Sequence, residues 1–336
     1  MFETLSGVPR VLLQQKLRPA QGDRFQPTGF ADLGHAVYER HDGTRMLLVE
    51  SAQSVANHLE SVCLDGSGPE IGKELQGLPY IRVKFSGGSD SVTTSLVEAH
   101  RINSPFIISD DKFRENFRSM AEYAKGKPLD WKKIAHAVFF YDPNSLLHGV
   151  FMANLEDGRI KLPRAVSGFI EASEVKEAAS GGVKNNPLDP TGKLRAANFD
   201  KDVYGNVPYA RMEYTARDVR AYFNLDLALL CGYGLPEPAR ELLIALALYK
   251  IRGFITTGLR LRTACDFCPD GELQVAAPAN FPVPQEEELL KVVREKIQAC
   301  TAAHLFASPP VTELTTEVVW KEQGGPATTS SPTNPD

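Results

Sequence analysis

The sequence has few cysteines and no long apolar run, and both shortages exclude classes of protein. Five cysteines in 336 residues, an odd number, do not form the disulfide framework of a small secreted domain. The longest apolar run, Leu242 to Tyr249, is far shorter than the roughly 18 residues that a membrane-spanning helix needs. The N-terminal MFETLSGVPR also lacks the basic and apolar segments of a signal peptide. We therefore expect a cytoplasmic protein with free thiols and no membrane partner.

A strongly basic charge is also lacking. The chain has 37 Lys and Arg against 42 Asp and Glu, a formal net charge of −5. Ten of these acids and only four of the bases lie from Pro269 onward, so the preceding residues are almost neutral. Within them, Arg240 to Arg262 carries five basic residues and one acid. A net acidic charge does not favour a nucleic-acid partner, but this distribution leaves room for locally basic surfaces.

What is present is a mixture of helical and alternating patterns, which predicts an α+β fold with a partly antiparallel sheet. Asp42-Gly43 between two β-prone runs predicts a hairpin over about 35–50, and Ser51 is placed to cap the helix that follows. Further strands are predicted over 80–85, 217–225 and 257–267, and further helices over 109–126, 236–252 and 285–300. Residues 167–209 are punctuated by Gly, Asn, Pro and Asp, which predicts a long irregular insertion.

The outward positions of three predicted strands are polar or cationic. They are Tyr80, Arg82, Lys84, Arg220, Tyr222, Asn224, Arg260 and Arg262. One interpretation is a sheet face that binds a single-stranded nucleic acid, as RNA-binding sheets of the RRM type do. The other is an ordinary solvated sheet face, and periodicity alone favours this second interpretation.

The sequence offers little for metal or cofactor chemistry. GSGPEIGKE fails both the phosphate-loop and the dinucleotide spacing. Cys265 and Cys268 form a single CxxC without a second ligand pair, and the histidines have no nucleophile or carboxylate partner in a motif. We therefore expect structural thiols, no metal and no cofactor.

The segments that flank the predicted hairpin suit an anion. Arg24 to Gly29 precedes the hairpin and ESAQS follows it, at the start of a predicted helix. Free backbone N–H groups and hydroxyls at a helix N-terminus bind phosphate. Ordinary helix capping explains the same residues, and the two roles are compatible.

Four blocks of the sequence together are similar to one known family. They are LRPAQGDRFQPTGFADLGHAVYE, LVESAQSVANHLE, RAVSGFIEAS with GGVKNN, and RGFITTGLRLRTACDF, in this order between about Leu17 and Phe267. They resemble the Cascade backbone subunit of type I-U (also called I-G) CRISPR systems. This is the Csb-one branch of the Cas-seven family, in the RAMP superfamily.

The resemblance implies a hand-like α+β fold. Its parts are an RRM-like (ferredoxin-like) antiparallel-sheet palm, inserted helical fingers and an extended thumb. In this chain we expect a single RAMP domain over 1–320, with fingers at about 64–131 and a thumb at about 167–209. Residues 321–336 cannot bury apolar surface and are expected to form a disordered tail.

The resemblance also implies a non-catalytic, multi-copy RNA-binding subunit in antiviral defence. Copies would stand head-to-tail along one CRISPR RNA in a ribonucleoprotein and present the guide to target DNA. The other expected partners are a large subunit, a subunit that binds or processes the guide end, and a recruited helicase-nuclease.

The resemblance points to residues for guide contact. RMLLVESAQS lies where relatives have an R-x-R-x-S-S-Q-like segment, which assigns Arg45, Ser51, Gln53 and Ser54 to guide phosphates. Relatives often continue with Lys and Arg where Val55 and Asn57 stand here, so other cations must contribute. The further expected RNA contacts are Arg24, Gln26, Thr28, Asn57, Arg164, Lys184, Arg211, Arg252, Arg260 and Arg262. For any one arginine, a surface charge or an intramolecular salt bridge is an equal alternative.

Two other functions stay open at this point. One is a ribonuclease that processes guide RNA or cuts target RNA, because type III relatives carry a thumb aspartate and Asp189, Asp200 and Asp202 lie in the insertion. The type I resemblance instead assigns DNA cutting to the separate helicase-nuclease, so we expect no cleavage. The other is a zinc-stabilised interaction protein built on Cys265 and Cys268.

Overall fold

The computed structural model describes residues 1–30, 32–66, 68–86, 91–194 and 205–317. The helices are α1 (Ala52–Ser61), α2 (Pro105–Ile108), α3 (Asp111–Ala121), α4 (Trp131–Tyr141), α5 (Pro143–His148), α6 (Leu227–Gly232), α7 (Glu237–Thr256) and α8 (Glu286–Ala302). The strands are β1 (Arg10–Pro19), β2 (Gly29–Phe30), β3 (Gly34–His35), β4 (Val37–Glu39), β5 (Arg45–Glu50), β6 (Tyr80–Ser86), β7 (Val92–Thr94), β8 (Val150–Phe151), β9 (Lys161–Leu162), β10 (Val166–Ser173), β11 (Lys176–Lys184), β12 (Val207–Thr215), β13 (Asp218–Asp226), β14 (Arg260–Arg262), β15 (Cys265–Pro269), β16 (Gln274–Ala277) and β17 (Val311–Glu317). Short 3-10 helices lie at Glu3–Leu5, Lys73–Leu75 and Arg101–Asn103.

The main sheet is antiparallel and has the order β14-β15-β1-β13-β10-β5-β4, with β16 also paired to β1. The pairing of β1 with β13 runs from Arg10 opposite Asp226 to Leu17 opposite Val219. The sequence analysis missed β1 because Gln15 interrupts its inward apolar row. The buried amide of Gln15 donates to Gly271 O at 2.9 Å and to Lys16 O at 3.0 Å, which satisfies the polar group in the core.

Two helices cover one face of this sheet. Helix α1 packs on β10, α7 packs on β13 and on α1, and α8 covers α7. Because α7 lies between the sheet and α8, it is apolar nearly all round and has no single apolar stripe. Gly168 lets α1 approach the sheet closely, since an added Cβ would lie 3.0 Å from Val55 Cγ1 and 2.8 Å from Tyr222 O.

Several predicted elements are confirmed. The hairpin around Asp42-Gly43 is β4–β5, with the Asp42 carboxylate accepting the Thr44 N–H at 2.9 Å. Ser51 caps α1 as predicted. The predicted strand at 217–225 is β13, and the predicted helices at 236–252 and 285–300 are α7 and α8. A capping box of Gln285 and Glu288 begins α8.

Other predicted elements are wrong in extent or place. The predicted strand 257–267 is two strands, β14 and β15, because the chain turns at Ala264 with a φ of 58°. The predicted helix 109–126 ends at Ala121, since Glu122 adopts the left-handed conformation. Strand β6 lies outside the main sheet, in a three-stranded sheet β17-β6-β7 in which β17 runs parallel to β6. Arg82 and Lys84 are therefore absent from the main sheet's open face.

The prediction of an irregular insertion over 167–209 is also wrong for most of the described residues. β10 is an inner strand of the main sheet. Strands β11 and β12 form a separate two-stranded ribbon, paired from Lys176 opposite Thr215 to Lys184 opposite Val207. Glycine, alanine and serine in β11 hide the alternation that would have indicated a strand. Asp200, Asp202 and the predicted disordered tail at 321–336 lie outside the described residues.

Between α1 and β10 the chain builds a mostly helical layer. Helices α2, α3, α4 and α5 follow one another there, with Phe113, Phe117 and Tyr141 forming an aromatic cluster. No helix among the described residues is long and apolar enough to cross a membrane.

Candidate nucleic-acid interface

Five of the predicted contact residues come together at the start of α1. Arg164 donates to Gln53 Oε1 and to Ala52 O, the latter at 3.2 Å. The Gln53 amide donates to Asn57 Oδ1 at 2.9 Å, and Ser51 Oγ accepts the Ser54 N–H at 3.3 Å. Burial lowers the pKa of Arg164, which nevertheless stays charged at neutral pH. A guanidinium beside a helix N-terminus is an arrangement that favours an anionic group such as phosphate.

A buried carboxylate lies directly beneath this cluster. Glu50 is fully buried; it accepts a hydrogen bond from Ser54 Oγ and forms an ion pair with Arg262. Arg262 Nη1 also donates to Val49 O at 3.1 Å and to Gln26 O at 3.3 Å. The guanidinium of Arg262 and the hydroxyl of Ser54 thus join β5, α1, β14 and the 24–28 segment, and their main contacts are within the protein.

Three other predicted arginines line one cavity of about 670 Å³ beside the ribbon. Arg211 Nε lies 2.8 Å from the buried carboxylate of Glu213, and Arg24 Nη1 lies 3.7 Å from it. Arg260 is 3.8 Å from Asp266 and its side chain is 78% exposed. The cavity therefore collects Arg24, Arg211 and Arg260 from three distant parts of the chain, each near a carboxylate.

A smaller cavity of about 420 Å³ contains Gln26, Thr28 and Arg262. Gln26 Nε2 is 3.3 Å from His35 Nε2, and His35 Nδ1 is 3.3 Å from the Tyr214 hydroxyl. The buried Gln26 Oε1 has no hydrogen-bond partner within the described part of the chain. His35 and Tyr214 were not predicted as site residues, because no local motif joins positions that far apart in sequence.

The remaining predicted cations stand apart from these groups. Arg45 donates to Glu177 on the ribbon, and Lys184 lies exposed at the opposite end of β11. Arg252 on α7 donates to Pro284 O at 3.1 Å and Val283 O at 2.8 Å, which ties α7 to the segment before α8. Burial lowers the pKa of Arg252.

The most prominent feature of the open face of the main sheet is an aromatic pair, not a basic surface. Phe169 and Tyr222 are stacked with ring centroids 5.2 Å apart. Two cations of this face are neutralised locally, because Arg220 pairs with Asp218 and Lys16 with Asp270, both at 2.7 Å. Of the eight outward residues predicted from the sequence, Arg220, Tyr222 and Asn224 lie on this face.

Cys265 and Asp189, the candidates for metal binding and for RNA cleavage, both make contacts within the protein. No cluster of three or more His, Cys, Asp or Glu that could hold a metal occurs among the residues described. Burial raises the pKa of the Cys265 thiol to about 12, and this group contacts Arg262. The Asp189 carboxylate accepts the Leu194 N–H at 2.7 Å, a bond that lowers its pKa, so Asp189 holds the loop between β11 and β12.

Comparison with known proteins gives one family match. The model of the family described as CRISPR-associated protein GSU0053 matches residues 11–177, about half of the chain. No curated protein matches the sequence. This segment contains β1, the β4–β5 hairpin, α1 and β10.

Similar solved structures include two whose titles are a pre-nicking CRISPR RNA-guided surveillance complex and a CRISPR RNA-guided surveillance complex. The first has a TM-score of 0.41 at 13% identity and covers 88% of both chains. The second has a TM-score of 0.37 at 12% identity and covers 88% of this chain and 83% of that one. Csc2 from Thermofilum pendens has a TM-score of 0.30 at 11% identity, covering 88% of this chain and 80% of its own. The family match includes the first two of the four blocks on which the sequence resemblance rests and RAVSGFIEAS of the third, and the chain belongs to this family of CRISPR-associated proteins.

Proposed function

We propose that the chain is a non-catalytic backbone subunit that binds CRISPR RNA in a Cascade surveillance complex of type I-U, also called I-G. The observation that carries the proposal is the family match over residues 11–177. This segment includes the start of α1, where Ser51, Gln53 and Arg164 meet.

We assign guide-phosphate contact to two places. The first is the start of α1 with Arg164, and the second is the cavity of Arg24, Arg211 and Arg260. In the cavity, a phosphate would either displace the carboxylates that pair with these three arginines or bind the arginines together with them. Contacts of this kind hold the RNA backbone without reading its bases, which suits a subunit that must accept guides of any sequence.

The strand order supports an RRM-like palm. If the elements inserted between them are left aside, six elements follow the ferredoxin-like chain order of strand, helix, strand, strand, helix, strand: β1, α1, β10, β13, α7 and β15. The four strands are neighbours in the main sheet in the order β15-β1-β13-β10. We assign the thumb to the ribbon β11–β12 with the loop between them, and the fingers to the layer that contains α2 and α3, within one RAMP domain over 1–320.

Exposed apolar side chains on the ribbon support head-to-tail contact with a second copy. Val183 and Tyr209 are each 54% exposed and Val207 is 46% exposed. Apolar surface of this kind is typical of an interaction site. A heterologous contact repeats along the guide and does not close into a dimer. The large subunit, the guide-end subunit and the helicase-nuclease are the further partners that this proposal includes.

The proposal is tested by co-expressing variants with a CRISPR array and measuring the RNA that each purified protein retains. Gln53→Ala combined with Arg164→Ala is expected to lower retained guide RNA at least about tenfold, because charge-assisted contacts contribute about 1.5–3 kcal/mol each. Lys291→Ala, an exposed lysine on α8, is the matched control and should retain RNA like the wild type. Equal retention in the double variant and the control would contradict the assigned site.

A further inference from the structure

A cavity of about 970 Å³ lies between the 3-10 helix Arg101–Asn103 and the β8–β9 hairpin. Its walls include apolar residues such as Pro105, Leu162 and Pro163. Basic side chains, Arg101, Lys161 and Arg164, border it. An apolar wall with cations at the rim suits a ligand that has a flat apolar part and an anionic part.

The β8–β9 hairpin places an aromatic ring and a cation side by side. Phe151 and Lys161 are directly opposite in the pairing of the two strands. The Lys161 ammonium lies 4.5 Å from the centroid of the Phe151 ring, which is 46% exposed. Gly149 allows the tight entry into β8, because its φ is 78° and an added Cβ would lie 2.9 Å from Leu162 O.

Arg164 connects this cavity to the start of α1. The side chain lines the cavity and also donates to Gln53 and to Ala52 O. Arg101, in contrast, is committed to Glu60 at 2.6 Å and to Gly149 O at 2.9 Å. The cavity therefore opens beside the proposed guide-phosphate site, and Lys161 and Arg164 are its cations that are available to a ligand.

The His148 ring, which forms part of the cavity wall, is neutral. Burial and the neighbouring Lys250, Arg101 and Arg164 lower the pKa of His148 well below its usual value. Lys250 Nζ lies 2.8 Å from His148 Nε2 and donates to it, so the neutral ring carries its proton on Nδ1. This buried Nδ1–H has no hydrogen-bond partner within the described residues.

We propose that the cavity binds one unstacked nucleotide of a single strand, with the base against Phe151 and the phosphate between Lys161 and Arg164. The proposal rests on the proposed function, because the strand is either the guide itself or a strand that the guide recruits. Stacking on an aromatic ring accepts every base, which agrees with a protein that does not select sequence.

The test measures binding of fluorescein-labelled rU10 and dT10 to the purified chain by anisotropy. Phe151→Leu keeps the apolar volume and removes the ring, and it should weaken binding of at least one of the two strands about tenfold. Lys161→Ala should weaken it similarly, whereas Phe151→Trp and the control Lys291→Ala should bind like the wild type. A midpoint of thermal unfolding close to that of the wild type would show that each variant is folded.

The outcomes separate this proposal from the proposed function. If Phe151→Leu binds both strands within about twofold of the wild type while Gln53→Ala with Arg164→Ala loses binding, the nucleotide cavity is overturned and the guide-binding function stands. If the wild type binds neither strand and retains no guide after co-expression with an array, both proposals fail.

Guide-loaded protein distinguishes the two sources of the nucleotide. Lower retention of guide RNA by Phe151→Leu after co-expression with an array would assign the cavity to the guide. Normal retention with weaker binding of a complementary DNA strand would assign it to the target. Normal retention and normal DNA binding would overturn the proposal.

Discussion

Arg260 and Arg262 are two residues apart on one short strand, yet their surroundings differ completely. Arg260 is exposed and 3.8 Å from Asp266. Arg262 contacts the fully buried Glu50 and two backbone carbonyls. The family resemblance made both of them candidates for RNA contact, with an intramolecular salt bridge as an equal alternative, and their burial separates the structural arginine from the one that is available to a ligand.

Arg262→Met should destabilise the protein by about 3 kcal/mol, because it leaves the Glu50 carboxylate buried without its main cation. Urea unfolding followed by circular dichroism measures this change. The double variant with Glu50→Gln should recover much of the loss. A single variant as stable as the wild type would show that Glu50 does not depend on Arg262.

Arg260→Ala should leave the free energy of unfolding within about 0.5 kcal/mol of the wild type, since its ion pair is exposed. Its effect should appear in RNA binding. The slope of log affinity against log salt concentration should become less steep by about 1, the value that corresponds to the loss of one phosphate contact. An unchanged slope would remove Arg260 from the proposed interface.

His148 should make the stability depend on pH below about 6.5. The pKa of His148 is lowered by burial and by Lys250, so the folded protein keeps this ring neutral while the unfolded chain takes up a proton. Stability from this group is therefore complete above pH 6.5 and falls as the pH drops, by up to about 1.4 kcal/mol per pH unit.

His148→Gln is the variant that checks this pH dependence, because its amide oxygen can still accept from Lys250. Urea titrations between pH 7.5 and 5.5 should show a shallower loss of stability than in the wild type. His41→Gln, at an exposed turn, is the control and should follow the wild type. Parallel curves for His148→Gln and the wild type would contradict the assignment.

At the scale of elements, the ribbon β11–β12 carries exposed apolar side chains at its far end, among them Val183 and Tyr209. Val183→Ser combined with Tyr209→Ser should leave the midpoint of thermal unfolding unchanged, because both side chains are largely exposed. Complexes assembled from this variant should contain fewer protein copies per guide RNA, as measured by native mass spectrometry. Leu33→Ser changes an apolar residue that is 82% exposed outside the ribbon, and it should assemble normally. Normal assembly of the ribbon variant would exclude these two side chains from the contact between copies.

Elements with a strong local signal were predictable from the sequence, and elements set by distant contacts were not. Asp42-Gly43, Ser51 and the three glutamates at the start of α8 carry their turn and caps in the local sequence. Strand β1 was missed because a buried Gln15 is satisfied by Gly271, 256 residues away. The separate sheet of β6 was missed because its partner β17 lies near the end of the chain.

The same division holds for the candidate site. The cluster of Ser51, Gln53 and Arg164 contains residues from one motif and one distant arginine, and all were named from the sequence and the family resemblance. The cavity that contains Phe151 and Lys161 was missed, because a hairpin of two-residue strands has no periodicity to detect. The hydrogen bonds that Arg252 donates to backbone carbonyls could not be predicted from the sequence either.

For the whole molecule, the basic residues of the described ranges are spread over several local surfaces, and many of them lie beside a carboxylate. The net charge of −5 agrees with this pattern. Such a surface holds nucleic acid well only where several contacts act on one strand at once. The proposed arrangement of copies along one guide supplies this multiplicity, because each copy adds its own phosphate contacts.

The most direct test of guide binding is the nucleic-acid content of the protein expressed with its CRISPR array and without it. The ratio of absorbance at 260 and 280 nm and sequencing of the extracted RNA give the result. We expect guide-length RNA, protected along its length and uncleaved, only when the array is present. Protein free of RNA in both cases, together with turnover of an added RNA substrate, would contradict the backbone-subunit account and favour a ribonuclease.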